Sequence, residues 1–231
     1  MYLRWRRLLP RSVRLVPVEL PGRGVRMGEP FEEDLGRLAA RLCDEQAEAM
    51  RDADRFMFFG HSMGALLAHG MARRLRDIGA PLPQALLVSG CAAPSRRDPG
   101  RFEGLDDDAS LEADLRRQGG TPQEVFASAE LLRITLDVLA ADYRLCRSFE
   151  PASMAGAPLP VPVHAFAGRH DDIEAAAVEA WSAETSDAFT LDWFDGGHFF
   201  IRQHEADFVG ALIRRLGRNA EGVARAIPAF A

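Results

Sequence analysis

One stretch constrains this chain more than any other. Arg55-Phe56-Met57-Phe58-Phe59 is a short, almost wholly apolar run, the pattern of a strand buried on both faces of a parallel sheet. Ala65 to Ile78 continues with helical periodicity and stops at Gly79 and Pro81. Between them stands Gly60-His61-Ser62-Met63-Gly64, a G-x-S-x-G. A chain that passes from a buried strand into a helix within so few residues turns sharply. Glycine at both flanks removes side chains that would clash in that turn. Such a turn lifts the Ser62 hydroxyl above the sheet edge.

Further strand signals lie at Val13–Leu20, Ala85–Ser89, Val161–Ala167 and Phe189–Phe194, and helical periodicity at Phe31–Met50 and Phe199–Leu216. From Pro94 to about Ala157 strands vanish. Helical segments replace them at Leu111–Gln118, Pro122–Ser128 and Glu130–Phe149. Residues 217–231 read as a frayed tail. The fold class is therefore α/β, a doubly wound, mostly parallel sheet with an inserted helical cap over residues 95–157. With 231 residues, 47% of them hydrophobic, and no repeat or linker, residues 1–231 read as a single domain.

Composition narrows the function classes. All 28 basic residues are Arg, against 34 acids, for a net charge of −6. That balance argues against a nucleic-acid binder. Arg4, Arg6, Arg7, Arg11, Arg14, Arg23 and Arg26 crowd the first 26 residues, however, where Glu19 is the one acid. No apolar run is long enough for a membrane span, and nothing at the N-terminus reads as a signal peptide. Cys43, Cys91 and Cys146 are widely spaced. They read as buried thiols in a reducing cytoplasm, with no metal site and no cofactor.

A serine hydroxyl needs a base and an orienting carboxylate to act as a nucleophile. His198 is the base this pattern favours, since Asp195-Gly196-Gly197-His198 follows the last strand and lets the ring swing toward Ser62. His164 reads as packed within a strand and His204 as a surface residue; His61, His69 and His170 receive no role. The carboxylate belongs after the strand Val161–Ala167, where Gly168-Arg169-His170-Asp171-Asp172 offers two candidates. Asp171 is preferred and Asp172 is the alternative. The N–H of Met63, at the start of the following helix, points where an oxyanion forms.

Several stretches together resemble the type II thioesterases, the discrete editing enzymes of polyketide and non-ribosomal peptide assembly lines, which are α/β-hydrolases. They are Val18-Glu19-Leu20-Pro21-Gly22-Arg23, Phe59 to Ala65, Val88-Ser89-Gly90 with Ala93-Pro94-Ser95, Gly119-Gly120-Thr121-Pro122, and Gly196-Gly197-His198-Phe199-Phe200. The resemblance runs from about residue 1 to 215. It places the aspartate three positions after Gly168, at Asp171. It implies that residues 95–157 form a lid over an acyl chamber, and that the substrate is an acyl-S-phosphopantetheine thioester on an acyl or peptidyl carrier protein. Arg4, Arg6, Arg7 and Arg11 would steer such an acidic partner. The alternatives are a carboxylesterase-like serine hydrolase and a catalytically impaired relative that binds the carrier.

The resemblance also implies a strand and a Pro-His-Ala-Gly-Gly type loop ahead of Tyr2-Leu3-Arg4-Trp5, with that strand lying between Val13–Leu20 and Phe56–Phe59. The sequence holds no such segment before Tyr2. The expectation is a start site assigned too late; a truncated relative and a strand swapped in from elsewhere are the alternatives. Left vacant, the slot would strand backbone groups on both neighbours, each costing about 1–3 kcal/mol when buried.

Overall fold

The computed structural model describes residues 2–149, 156–217 and 225–230. Its centre is a seven-stranded sheet in which every described pairing is parallel. The strands are β1 (Val13–Val18), β2 (Arg55–Phe56), β3 (Phe58–His61), β4 (Leu86–Ser89), β5 (Val163–Gly168), β6 (Phe189–Phe194) and β7 (Arg225–Phe230). Their order is β1-β7-β3-β4-β5-β6, with β2 also on β7.

The apolar run at 55–59 is explained by burial on both faces. Phe58 joins one core with Leu86, Val88 and Val163. Met57 and Phe59 join the other with Leu87, Phe166 and Phe208. Helices α1 (Leu35–Arg51) and α2 (Met63–Asp77) cover the first face through Leu38, Leu42, Leu66 and Met71. The Asp34 carboxylate starts α1 by accepting from the N–H of Arg37 at 2.7 Å. On the second face lie Tyr2 and Trp5 of a 3₁₀ turn, together with α8 (Glu205–Gly217).

The strandless stretch is an insertion between β4 and β5. It holds α3 (Asp108–Gln118), α4 (Gln123–Ala127) and α5 (Ala129–Arg147). Leu111, Leu115, Leu136 and Tyr143 give it a small core of its own. A capping box between Asp107 and Ser110 opens α3. The end of the expected block, at 150–155, lies outside the described residues. After β5 the chain forms α6 (Ala175–Glu179) and returns to the sheet as β6.

Two expectations are corrected. The last helix is not continuous: α7 (Phe200–Gln203) ends at His204, whose φ of −119° leaves the helical region before α8 begins. More consequentially, the C-terminal segment is not a frayed tail. Residues 218–224 and 231 lie outside the described residues, but 225–230 form β7, which occupies the slot between β1 and β3. Val16 lies opposite Pro228, and Phe59 opposite Ala229. Backbone groups that would face a gap there meet a parallel strand instead. β7 is an unusual central strand, because Pro228 has no N–H to give. β2 and β3 share one register on it, Phe56 opposite Ala226 and Phe59 opposite Ala229.

Candidate active site

The turn after β3 has the strained geometry its glycines imply. Ser62 has φ 54° and is the one non-glycine at positive φ among the described residues. A residue held there costs about 1–3 kcal/mol, which the surroundings must offset. A Cβ on Gly60 would stand 2.0 Å from the carbonyl oxygen of Gly64, so only glycine fits. The Ser62 N–H donates to the Ser89 carbonyl at 2.7 Å, fixing the turn to β4. The Ser62 hydroxyl caps nothing, although the residue precedes α2. Met63 is the first residue of that helix, where N–H groups have no intrahelical acceptor.

The other two candidate residues, Asp171 and His198, lie in the loops after β5 and β6. These loops touch through backbone: a Cβ on Gly168 would lie 2.6 Å from the carbonyl oxygens of both Gly196 and Gly197. The His170 N–H donates to the Gly196 carbonyl at 3.0 Å. That close approach brings His198 Nδ1 within 2.9 Å of Asp171 Oδ2. The Asp171 side chain is 5% exposed and that of His198 is 16%. Asp172, the alternative carboxylate, turns outward at 62% exposure and pairs with Arg117. The ring of His198 stands 4.9 Å, centre to centre, from the ring of His61, the residue before Ser62.

A Ser–His contact that sequence reasoning did not single out joins the residue before Ser62 to the end of β4. His61 Nδ1 is 3.0 Å from Ser89 Oγ, and both residues are buried. Burial holds the His61 pKa well below its ordinary value, with the neighbouring His198 adding to the effect. These partners are 28 positions apart, so no local pattern signals the contact. His69 is also buried, against Trp181 and 3.5 Å from Glu184 Oε2. Its burial, aided by Arg73, pushes its pKa down to about 3. His164 is buried as read, 2.7 Å from Thr190 Oγ1.

Cys43 and Cys146 are buried, Cys91 is half-buried, and all three are free. Burial pushes the Cys91 thiol up to about 12. A cavity of about 710 Å³ lies at the opposite end of the sheet, beside Arg55, Gln84, Pro162 and Thr190, away from Ser62, Asp171 and His198. Among the described residues no group of His, Cys, Asp or Glu is arranged to hold a metal ion. None of their helices is long and apolar enough to cross a membrane.

The chain is similar to known proteins over most of its length. Thioesterase PikA5 of Streptomyces venezuelae is 35% identical over 201 residues, 87% of this chain and 70% of that protein. The RedJ thioesterase of the prodiginine pathway in Streptomyces coelicolor superposes with a TM-score of 0.80 at 34% identity, covering 91% of this chain and 84% of RedJ. BorB, a type II thioesterase from the borrelidin biosynthetic cluster, does so at 0.71 and 35% identity, covering 86% and 77%. The family model for the thioesterase domain matches residues 1–219, and the chain belongs to the thioesterase family, with the α/β-hydrolase fold.

Proposed function

We propose that this chain hydrolyses acyl-S-phosphopantetheine thioesters on acyl or peptidyl carrier proteins, through an acyl-enzyme on Ser62. The observation that carries this reading is the 2.9 Å contact from His198 Nδ1 to Asp171 Oδ2, with the His198 ring against His61, the residue before a strained serine whose hydroxyl has no capping role. With Nδ1 engaged, His198 Nε2 takes the Ser62 proton as the oxygen attacks the thioester carbon. The backbone N–H of Met63, at the N-terminus of α2, stabilises the oxyanion. The tetrahedral intermediate collapses and expels the thiol, which leaves protonated by His198. Water, deprotonated by the same imidazole, then frees Ser62 and the acid. Asp171 holds the tautomer and offsets the imidazolium charge.

The Ser89–His61 pair does not compete for this role. Both residues are buried, and burial holds the His61 pKa well below its ordinary value. The pair instead steadies the turn that carries Ser62.

The carrier-protein substrate is supported by the type II thioesterases among the similar structures. It is also supported by Arg4, Arg6, Arg7 and Arg11. These are exposed, and among the described residues their side chains make no hydrogen bond or ion pair, which suits long-range attraction of an acidic partner. We place residues 1–231 in one domain, with the α3–α5 insertion as its lid, and the free thiols fit a reducing cytoplasm.

The test compares hydrolysis of an acyl-S-carrier with that of a simple oxygen ester, in wild type and in Ser62→Ala. The thioester is the preferred substrate of the wild type, and Ser62→Ala loses about 10⁴-fold or more in kcat. Preference for the oxygen ester identifies a carboxylesterase. Carrier binding without turnover in the wild type identifies an impaired relative.

A further inference from the structure

The insertion meets the body of the protein on two sides, and the two sides differ. On one, α5 is held by two ion pairs and a hydrogen bond at its C-terminal end. Arg23, in the loop after β1, forms a two-pronged pair with Asp142 at 2.7 and 2.9 Å. Arg144 reaches Glu33 at 2.6 Å, and the Leu35 N–H donates to Ser148 Oγ at 2.9 Å. On the other side, the C-terminal end of α3 touches the two loops that carry Asp171 and His198. Arg117 pairs with Asp172. Arg202 donates to the Gly120 carbonyl at 2.7 Å. The Phe199 ring lies so close to Gly120, at φ 80°, that a Cβ there would stand 2.5 Å from it.

Arg117 is prepared for this contact from behind. Its guanidinium also bonds Asp114, whose side chain is 6% exposed. Asp114 further accepts from Gln118 at 2.6 Å and from the Tyr143 hydroxyl. Burial raises the Asp114 pKa, but these hydrogen bonds outweigh it and keep the group a carboxylate. The guanidinium is thus oriented before it meets Asp172, and less side-chain freedom is lost on contact. Arg117 and Asp172 remain 46% and 62% exposed, so salt screens their attraction.

We propose that Arg117 is a positioning residue that latches the end of α3 onto the loop of Asp171 through Asp172, closing the lid over bound acyl chains while α5 serves as its fixed side. This rests on the thioesterase reading for the consequence on substrates, but not for the latch itself. Long acyl chains, which need the closed lid, feel its loss. Short ones, which need only Ser62, Asp171 and His198, do not.

The test uses Asp172→Asn in the full chain, which leaves the Arg117–Asp114–Tyr143 cluster intact. Two readouts are taken. Amide hydrogen exchange at Gly119–Thr121 is expected to quicken several-fold in the variant, and to quicken with added salt in the wild type only. KM for a long-chain acyl thioester is expected to rise several-fold, with kcat for an acetyl thioester unchanged. Unaltered exchange overturns the latch whatever the activity shows. A fall in kcat of the same size for both substrates also overturns it, by making Asp172 part of the reaction centre. If the wild type cleaves neither thioester, the functional reading fails, and the exchange data still decide the latch.

Discussion

Nδ1 of His198 lies 2.9 Å from Oδ2 of Asp171, while Asp172, the next residue, faces solvent and an arginine of the insertion. Two adjacent carboxylates therefore have separate partners, set by which way each side chain leaves the loop. Asp171→Asn is expected to lower kcat by about 10²–10⁴-fold, because the amide favours the wrong imidazole tautomer. Asp172→Asn is expected to leave kcat for an acetyl thioester unchanged. Steady-state kinetics on both variants check this, and equal losses would contradict the assignment.

The two serines that neighbour histidines should separate as cleanly. Ser89→Ala leaves the buried Nδ1 of His61 without its partner, a loss expected to cost about 1–3 kcal/mol in stability. Turnover per folded molecule should stay within several-fold of wild type. Denaturant titration alongside kinetics measures both quantities. Loss of activity on the scale of Ser62→Ala would make Ser89 the nucleophile.

Acid should destabilise the fold through its buried imidazoles. The His69 pKa is lowered to about 3 by burial, and that of His61 is lowered in the same direction. The unfolded chain protonates these rings near about pH 6.5, so below that value it binds more protons than the native state. Stability is fully present above about pH 6.5 and falls as pH drops toward the folded pKa. At about pH 5 the His69 share is ~2 kcal/mol. His69→Leu should lose less stability between neutral pH and about pH 5 than wild type does, by roughly that amount. Identical losses in the two proteins would refute it.

The strand between β1 and β3 should matter to the whole molecule. β7 already lacks one ladder donor at Pro228. Ala229→Pro removes a second from a strand paired on both sides, an expected loss of about 1–3 kcal/mol. Thermal unfolding reports the change, and hydrogen exchange should show the remaining β7 amides protected along with those of β3. Rapid exchange at Ile227 and Phe230 with unaltered thermal stability of the variant would contradict the placement.

The legibility of this chain follows the range of the interactions involved. The turn at Ser62 was readable because strand, glycines, serine and helix are contiguous, and the physics that requires them is local. The paired loops were readable as candidates, since Gly168 and Gly196-Gly197 mark their turns, but which aspartate meets His198 depends on a tertiary approach of backbone to backbone. β7 was not readable. Arg-Ala-Ile-Pro-Ala-Phe has weak alternation and a central proline, and it is a strand because β1 and β3 offer it a slot. The break at His204 was equally hidden within an apolar period that runs straight through it. The Ser89–His61 and Arg117–Asp172 contacts join residues 28 and 55 positions apart, beyond any periodicity.

The acyl-enzyme of the proposed reaction forms on Ser62. Brief reaction with an acyl thioester, acid quenching and peptide mass analysis test it most directly. An acyl adduct is expected on the peptide bearing Ser62, present in Ser89→Ala and absent in Ser62→Ala. An adduct on Ser89, or thioester hydrolysis by Ser62→Ala at the wild-type rate, would contradict it.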